Sequence, residues 1–122
     1  MTSLTINPAG PLKGVIRVPG DKSITHRAIM LSALANGETT ITGYCPGEDC
    51  LNTIRAFRAM GVHIEERAAS LHVYGKGQWG LTEPDGPLDC GNSGTGIRLL
   101  AGLLAGQDFF TVLTGDDSIR RR

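Results

Sequence analysis

Apolar and polar residues change period several times along this chain, and each change predicts an element. Around Leu4 to Ile6 and Leu12 to Val18 apolar-rich runs predict two extended segments, the second closed by Pro19-Gly20. From Ser23 to Ala35 the period becomes helical. Ile24, Ala28, Leu31 and Ala35 recur at i, i+4, i+7 and i+11, and Ile29, Met30 and Leu34 widen the stripe. Asp21 or Ser23 is suited to cap this helix and Gly37 to stop it. Thr39 to Thr42, rich in β-branched residues, reads as a strand, and Tyr44 to Glu48 as a loop. Asp49 to Met60 is helical again, with Leu51, Ile54 and Phe57 inward, Arg55 and Arg58 outward, and Gly61 as the stop. Val62 to Glu66 and Leu71 to Tyr74 alternate as a hairpin turned at Ala68-Ala69.

A Gly- and Pro-rich connection from Gly75 to Pro87 leads back to the opening theme. Leu88 to Cys90 precedes a glycine loop, Gly91 to Gly96, then a helix through Ile97, Leu99, Leu100, Leu103 and Leu104, and a strand from Phe109 to Thr114. Gly20 and Arg27 recur as Gly91 and Arg98, each 71 positions on. Each copy runs glycine turn, polar helix start, arginine, apolar helix, strand, glycine. A repeat this long implies stacked β-α-β units rather than a solenoid. The second copy lacks its second helix and hairpin after Gly115, so the chain is expected to be a fragment of a larger protein.

Composition narrows the partners. Twelve Lys plus Arg balance twelve Asp plus Glu among 122 residues, which excludes a global pull toward nucleic acid or an anionic membrane. Any bound anion must therefore be met by a local site. Hydrophobic residues make up 40% with only six aromatics, so the core is expected to be aliphatic. No apolar run approaches the ~20 residues needed to span a bilayer. Three cysteines, Cys45, Cys50 and Cys90, and an N-terminus without a signal-peptide pattern point to a reducing cytoplasm. Cys45 and Cys50 with His63 or His72 match no familiar zinc spacing, and no metal is expected.

Three constellations can carry chemistry. Gly20-Asp21-Lys22-Ser23-Ile24-Thr25-His26-Arg27 lies across a helix start, where free N–H groups and the helix dipole favour an anion. Lys22 adds a mobile charge there, Ser23 a hydroxyl donor and Arg27 a bidentate fork. The plainer reading is a capped helix start with two solvated cations. Asn92-Ser93-Gly94-Thr95-Gly96-Ile97-Arg98 allows a ligand to approach the backbone at Gly94, and it serves equally as a tight turn before a buried helix. Arg120-Arg121-Arg122 reads alone as a solvated tail. The first run is not a nucleotide P-loop, because Asp21 intervenes and Gly14 is misplaced for G-x-x-x-x-G-K. The second is not a dinucleotide fingerprint, because Leu99 stands where the third glycine belongs.

Taken in order, PGDKSITHRA (Pro19 to Ala28), GNSGTGIR (Gly91 to Arg98) and LTGDDSIRRR (Leu113 to Arg122) resemble the enolpyruvyl transferase family, most closely its branch acting on shikimate 3-phosphate. The resemblance implies an α/β fold of repeated βαβαββ units, the inside-out α/β barrel, incomplete in this chain. It implies that residues 1–19 are strands of the first domain of a monomeric two-domain enzyme. Residues 20–122 would be the first unit and part of the second unit of the other domain. The implied reaction moves the enolpyruvyl group of phosphoenolpyruvate to the 5-hydroxyl of shikimate 3-phosphate, in aromatic amino-acid biosynthesis, without metal or organic cofactor.

By the same resemblance, Lys22, Ser23 and Arg27 bind shikimate 3-phosphate, and Lys22, Gly94 and Arg122 bind phosphoenolpyruvate. Asn92, Thr95 and Arg98 belong to the same motif as weaker assignments. The family's acid and base lie in later segments, so no catalytic residue is expected here and the isolated chain should be inactive. Glu48, Asp49, Asp116 and Asp117 read as caps and solvated loop charges. Glyphosate sensitivity is implied by Gly94. Two alternatives stand beside this reading: the sister enzyme acting on UDP-N-acetylglucosamine, and a non-catalytic anion-binding fragment. The sister enzyme typically carries Lys-Asn where this chain has Lys22-Ser23. Its reactive loop cysteine is not matched by Cys90, which precedes the glycine loop.

Overall fold

The structure, a computed structural model, describes residues 2–122; Met1, the first residue of the expected 1–19 segment, lies outside them. Helix α1 (Lys22–Leu34) starts at Asp21, whose Oδ1 accepts from the Ile24 amide at 2.7 Å. It ends at Ala35 and passes directly into β1 (Asn36–Thr42), so Gly37 lies inside the strand and is not the helix stop. Helix α2 (Glu48–Ala59) follows, then β2 (His63–Arg67) and β3 (Ser70–Lys76), turned at Ala68-Ala69 as the sequence predicts. The three strands form one antiparallel sheet in the order β1-β3-β2.

The second copy opens with β4 (Leu88–Asp89), continues through α3 (Gly94–Leu104) and returns as β5 (Leu113–Thr114). Strands β4 and β5 pair in parallel, which the intervening helix makes possible. A last turn, α4 (Asp117–Arg120), is capped by Asp116, whose Oδ1 accepts from the Ser118 and Ile119 amides. The core lies between the sheet and the helices. Leu71 and Val73 of β3 meet Ile29 and Ala33 of α1 and Ile54, Phe57 and Met60 after them, while α3 adds Leu100 and Leu104. Burying one such side chain contributes roughly 1.5–3 kcal/mol.

Within this structure the segments at residues 4–6 and 12–18 form no strand, and Leu4, Ile6, Leu12, Val15, Ile16 and Val18 stand exposed; three other expectations are corrected. A strand needs a neighbour for its N–H and C=O groups, and no described strand pairs with them. The inward face of α1 is also not the Ile24/Leu31 stripe. Both are 69% exposed, whereas Thr25, His26, Ile29, Met30, Ser32 and Ala33 are buried, with Thr25 and His26 hydrogen-bonded. Helix α3 starts at Gly94 rather than Ile97, because the Ser93 hydroxyl caps it by accepting from the Gly96 amide at 2.9 Å. Finally, only Leu113–Thr114 of the expected 109–114 strand pairs, and the arginine run is partly helical rather than a tail.

Candidate anion-binding site

The first glycine turn is pinned before α1 begins. A Cβ on Gly20 would lie 2.2 Å from the Gly43 carbonyl oxygen and 2.6 Å from the Tyr44 carbonyl carbon, so only glycine lets these backbones touch. The contact is reinforced by the Cys45 amide, which donates to Thr25 Oγ1 at 3.0 Å, while that hydroxyl donates to the Asp21 carbonyl at 2.7 Å. The α1 start is therefore held on the 43–45 loop.

Three cationic or hydroxyl groups stand on this start. Lys22 Nζ donates to Asp49 Oδ2 at 2.7 Å, and that hydrogen bond, with the charge of Asp49, raises the Lys22 pKa above its ordinary value. Asp49 is thus the anchor of Lys22 rather than a solvated loop charge. Arg27 is exposed, and its Nη1 donates to the Ser23 carbonyl at 3.0 Å, with Ser23 half-buried on the turn between. In the second copy Arg98 Nη1 donates to the Gly94 carbonyl at 3.3 Å. The 71-residue repeat thus extends to an individual hydrogen bond, since Ser23 answers Gly94 and Arg27 answers Arg98.

Gly94 also faces the end of the chain. A Cβ there would lie 2.8 Å from Arg122 Nη1 and 3.1 Å from Arg98 Nη1, so two guanidinium groups converge on the backbone of the first turn of α3. The Arg122 position follows from α4, whose Ile119 carbonyl accepts from the Arg122 amide at 3.1 Å and whose Ile119 side chain is buried. Asp116 fixes this turn from its start, and its hydrogen bonds from Ser118 and Ile119, with the charge of Arg122, hold its carboxyl below the ordinary range. A cavity of about 200 Å³ between Ile97, Arg98, Ile119 and Arg122 opens beside the pair. Asn92 is exposed on the turn and Thr95 half-buried on the helix, on either side of Ser93-Gly94.

The two helix starts adjoin through His26, which is fully buried. Its Nδ1 lies 2.7 Å from Thr53 Oγ1 on α2, and its Nε2 lies 3.3 Å from Ser93 Oγ. The expected residues therefore form two neighbouring groups, Lys22, Ser23 and Arg27 on α1, and Gly94, Arg98 and Arg122 at α3 and α4. Sequence reasoning missed Asp49, Thr53 and Ser93 as supports and took His26 only as part of a motif. The apolar stripe of α1 is buried at Ile29 and Met30 but not at Ile24 and Leu31, whose place inward is taken by Thr25 and His26.

Cys45 and Cys50 support the α1 start rather than react there: the Cys45 amide donates to Thr25 Oγ1, and Cys50 Sγ donates to the Lys22 carbonyl at 3.6 Å. Burial pushes the Cys50 thiol up to about 12 and the Cys90 thiol up to about 11, so both are poor nucleophiles. Among the described residues no three His, Cys, Asp or Glu side chains gather to hold a metal, and no helix is long and apolar enough to cross a membrane.

This arrangement of motifs coincides with a known family. A family profile described as EPSP synthase (3-phosphoshikimate 1-carboxyvinyltransferase) matches residues 6–122. The chain belongs to the EPSP synthase family. It is 57% identical over 122 residues to the 3-phosphoshikimate 1-carboxyvinyltransferase of Pelobacter propionicus, a match covering 100% of this chain and 28% of that protein. The protein of the same name from Alkalilimnicola ehrlichii is 61% identical over 118 residues, covering 96% of this chain and 26% of its own. Among solved structures, EPSP synthase from Acinetobacter baumannii superposes with a TM-score of 0.84 at 49% identity, over 89% of this chain and 25% of that one. The chain thus spans about 28% of the length of the curated relatives it matches. Its αβαββ and βαβα halves are part of the enolpyruvyl transferase fold. The relatives carry the shikimate-branch name, so the UDP-N-acetylglucosamine alternative is not favoured.

Proposed function

We propose that this chain supplies part of the substrate cleft of an enzyme that transfers the enolpyruvyl group of phosphoenolpyruvate to the 5-hydroxyl of shikimate 3-phosphate. The observation that carries the reading is the convergence of Arg98 and Arg122 on Gly94, next to a helix start that bears Lys22 and Arg27. Two polyanionic substrates need two such groups side by side, because a chain with balanced charge offers no general attraction.

In this reading the α1 start receives the acceptor. Arg27 and Ser23 meet the phosphate of shikimate 3-phosphate, and Lys22 leaves Asp49 far enough to touch both substrates. The α3 start receives the donor, with phosphoenolpyruvate lying against the Gly94 backbone and paired with Arg122. Asn92, Thr95 and Arg98 shape that pocket. The cations stabilise charge on both substrates as the enolpyruvyl group moves. Acid and base are proposed to come from other segments of the enzyme, since Asp49 is engaged by Lys22 and Asp116 by the amides of α4. Residues 1–19 are assigned to the first domain and 20–122 to the other. The exposed apolar side chains of the opening segment support that division, since they have no strand here to pair with. The enzyme is taken to work as a cytoplasmic monomer without cofactor.

Isothermal titration of shikimate 3-phosphate into the folded chain tests the reading. Saturable binding is expected, lost when Lys22→Ala and Arg27→Ala are combined. Binding unchanged in that double variant would overturn it. The isolated chain is expected to release no phosphate from the two substrates together, and measurable turnover would show that the acid and base lie within it.

A further inference from the structure

The buried polar cluster of His26, Thr53 and Ser93 has a direction. Thr53 is 2% and Ser93 2% exposed, and His26 is fully buried, so each polar atom must find its partner inside the protein. The direction is read from the Thr53 end, while the Gly96 amide only adds a donor to Ser93 Oγ. The Gly96 amide can only donate, and it donates to Ser93 Oγ at 2.9 Å. The Asp49 carbonyl can only accept, and it accepts from the Thr53 hydroxyl at 3.4 Å. Placing the Thr53 proton on that carbonyl makes Thr53 Oγ1 the acceptor of His26 Nδ1, 2.7 Å away, and assigns the ring hydrogen to Nδ1. Nε2 is then bare and accepts from the Ser93 hydroxyl at 3.3 Å. One unbroken series runs from the α3 start, through the neutral imidazole, to the α2 residue that anchors Lys22.

We propose that His26, neutral and protonated on Nδ1, is a positioning residue that sets the Ser93–Gly96 turn, and with it the anion pocket at Gly94, relative to the Lys22 and Asp49 pair. The role rests on the reading of Gly94 as a ligand contact, while the hydrogen-bond direction does not. Protonating Nε2 would remove the acceptor of the Ser93 hydroxyl and put a charge beside the turn. The Gly96 backbone would feel it directly, since a Cβ there would lie 3.5 Å from His26 Cε1. The charged groups around the ring are Lys22 and Arg27 on α1, which disfavour protonation, and Asp49 on α2, which favours it; α3 brings only Ser93 and Gly96. Burial is the dominant influence and keeps the imidazole below its ordinary value.

The test combines imidazole nitrogen NMR with pH titration of the Gly94 and Gly96 amides in the chain. The expected spectrum at pH 7 shows a protonated Nδ1 and an acceptor Nε2, and both amides shift on acidification with the midpoint of His26. In His26→Gln, whose amide donates to Thr53 and accepts from Ser93, that common transition disappears. Phosphoenolpyruvate, as probe, is expected to bind His26→Gln within about threefold of the wild type, without its extra fall at acid pH. His26→Leu, which severs both bonds, is expected to bind about tenfold more weakly at every pH. A hydrogen on Nε2, or amides that titrate identically in wild type and His26→Gln, would overturn the proposal. If neither variant nor wild type binds phosphoenolpyruvate, the ligand reading fails while the spectrum and amide titrations still decide the role of His26.

Discussion

Lys22 Nζ stands 2.7 Å from Asp49 Oδ2, joining the first turns of α1 and α2 across 27 residues of sequence. The lysine remains about half exposed, whereas its partner is only 18% exposed. The carboxylate is thus the fixed element and the ammonium the adjustable one. Such a pair holds a flexible cation near the starts of both helices.

Asp49→Asn removes the largest cause of the raised Lys22 pKa, the hydrogen bond to a charged acceptor, and the Coulombic attraction with it. The Lys22 titration should move down toward 10.5. Side-chain NMR of the lysine methylene groups measures this directly. An unchanged midpoint would show that the pair does not persist in solution.

Gly94→Ala separates ligand geometry from stability. The new methyl group presses on the ends of Arg122 and Arg98, which are flexible, so the fold accommodates it. Alanine also loses less backbone freedom than glycine on entering a helix. The melting temperature should hold or rise slightly. Phosphoenolpyruvate should bind less tightly, and glyphosate should lose more, by about tenfold, or ~1.4 kcal/mol. Equal loss for both ligands would contradict a steric origin at this position.

Gly20→Ala should behave oppositely. Its methyl group meets backbone atoms at 43–45 that cannot swing aside. Overpacking of this kind typically costs about 1–3 kcal/mol. Urea unfolding should show a lower midpoint, with the Thr25 contact to the Cys45 amide weakened. A midpoint within error of the wild type would mean that the turn is not held as described.

Much of this was legible in the sequence. The hairpin at Ala68-Ala69, the repeat and the arginine pairs follow from period and spacing, because local backbone geometry dominates there. The polar half of the buried face of α1 was not legible, although Ile29 and Met30 were. Ile24 and Leu31 outrank Thr25 and His26 on any apolar scale, yet hydrogen bonds to Asp21 and Thr53 turn the polar pair inward. The α3 start was misjudged for a related reason, since a serine cap draws the glycines into the helix. Strands need partners distant in sequence, and the opening apolar runs have none among the described strands.

Acidification supplies another test of the buried imidazole. A histidine held below its ordinary pKa of 6.5 takes up its proton more readily in the unfolded chain. The unfolded state then binds more protons, so stability falls as pH drops below 6.5 and stops falling once the folded His26 also titrates. Denaturant midpoints from pH 7 to pH 5 should show this slope in the wild type and a reduced one in His26→Gln. Identical slopes would mean that His26 is not buried in solution.

The claim that two neighbouring helix starts form one anion-binding surface is tested most directly by mapping amide shifts during titration with shikimate 3-phosphate. The expected result is saturation at Lys22, Ser23 and Arg27, with smaller shifts at Ser93, Gly94 and Gly96 tracking the same curve. Saturable shifts confined to other parts of the chain, or no shift at either start in a folded sample, would contradict it.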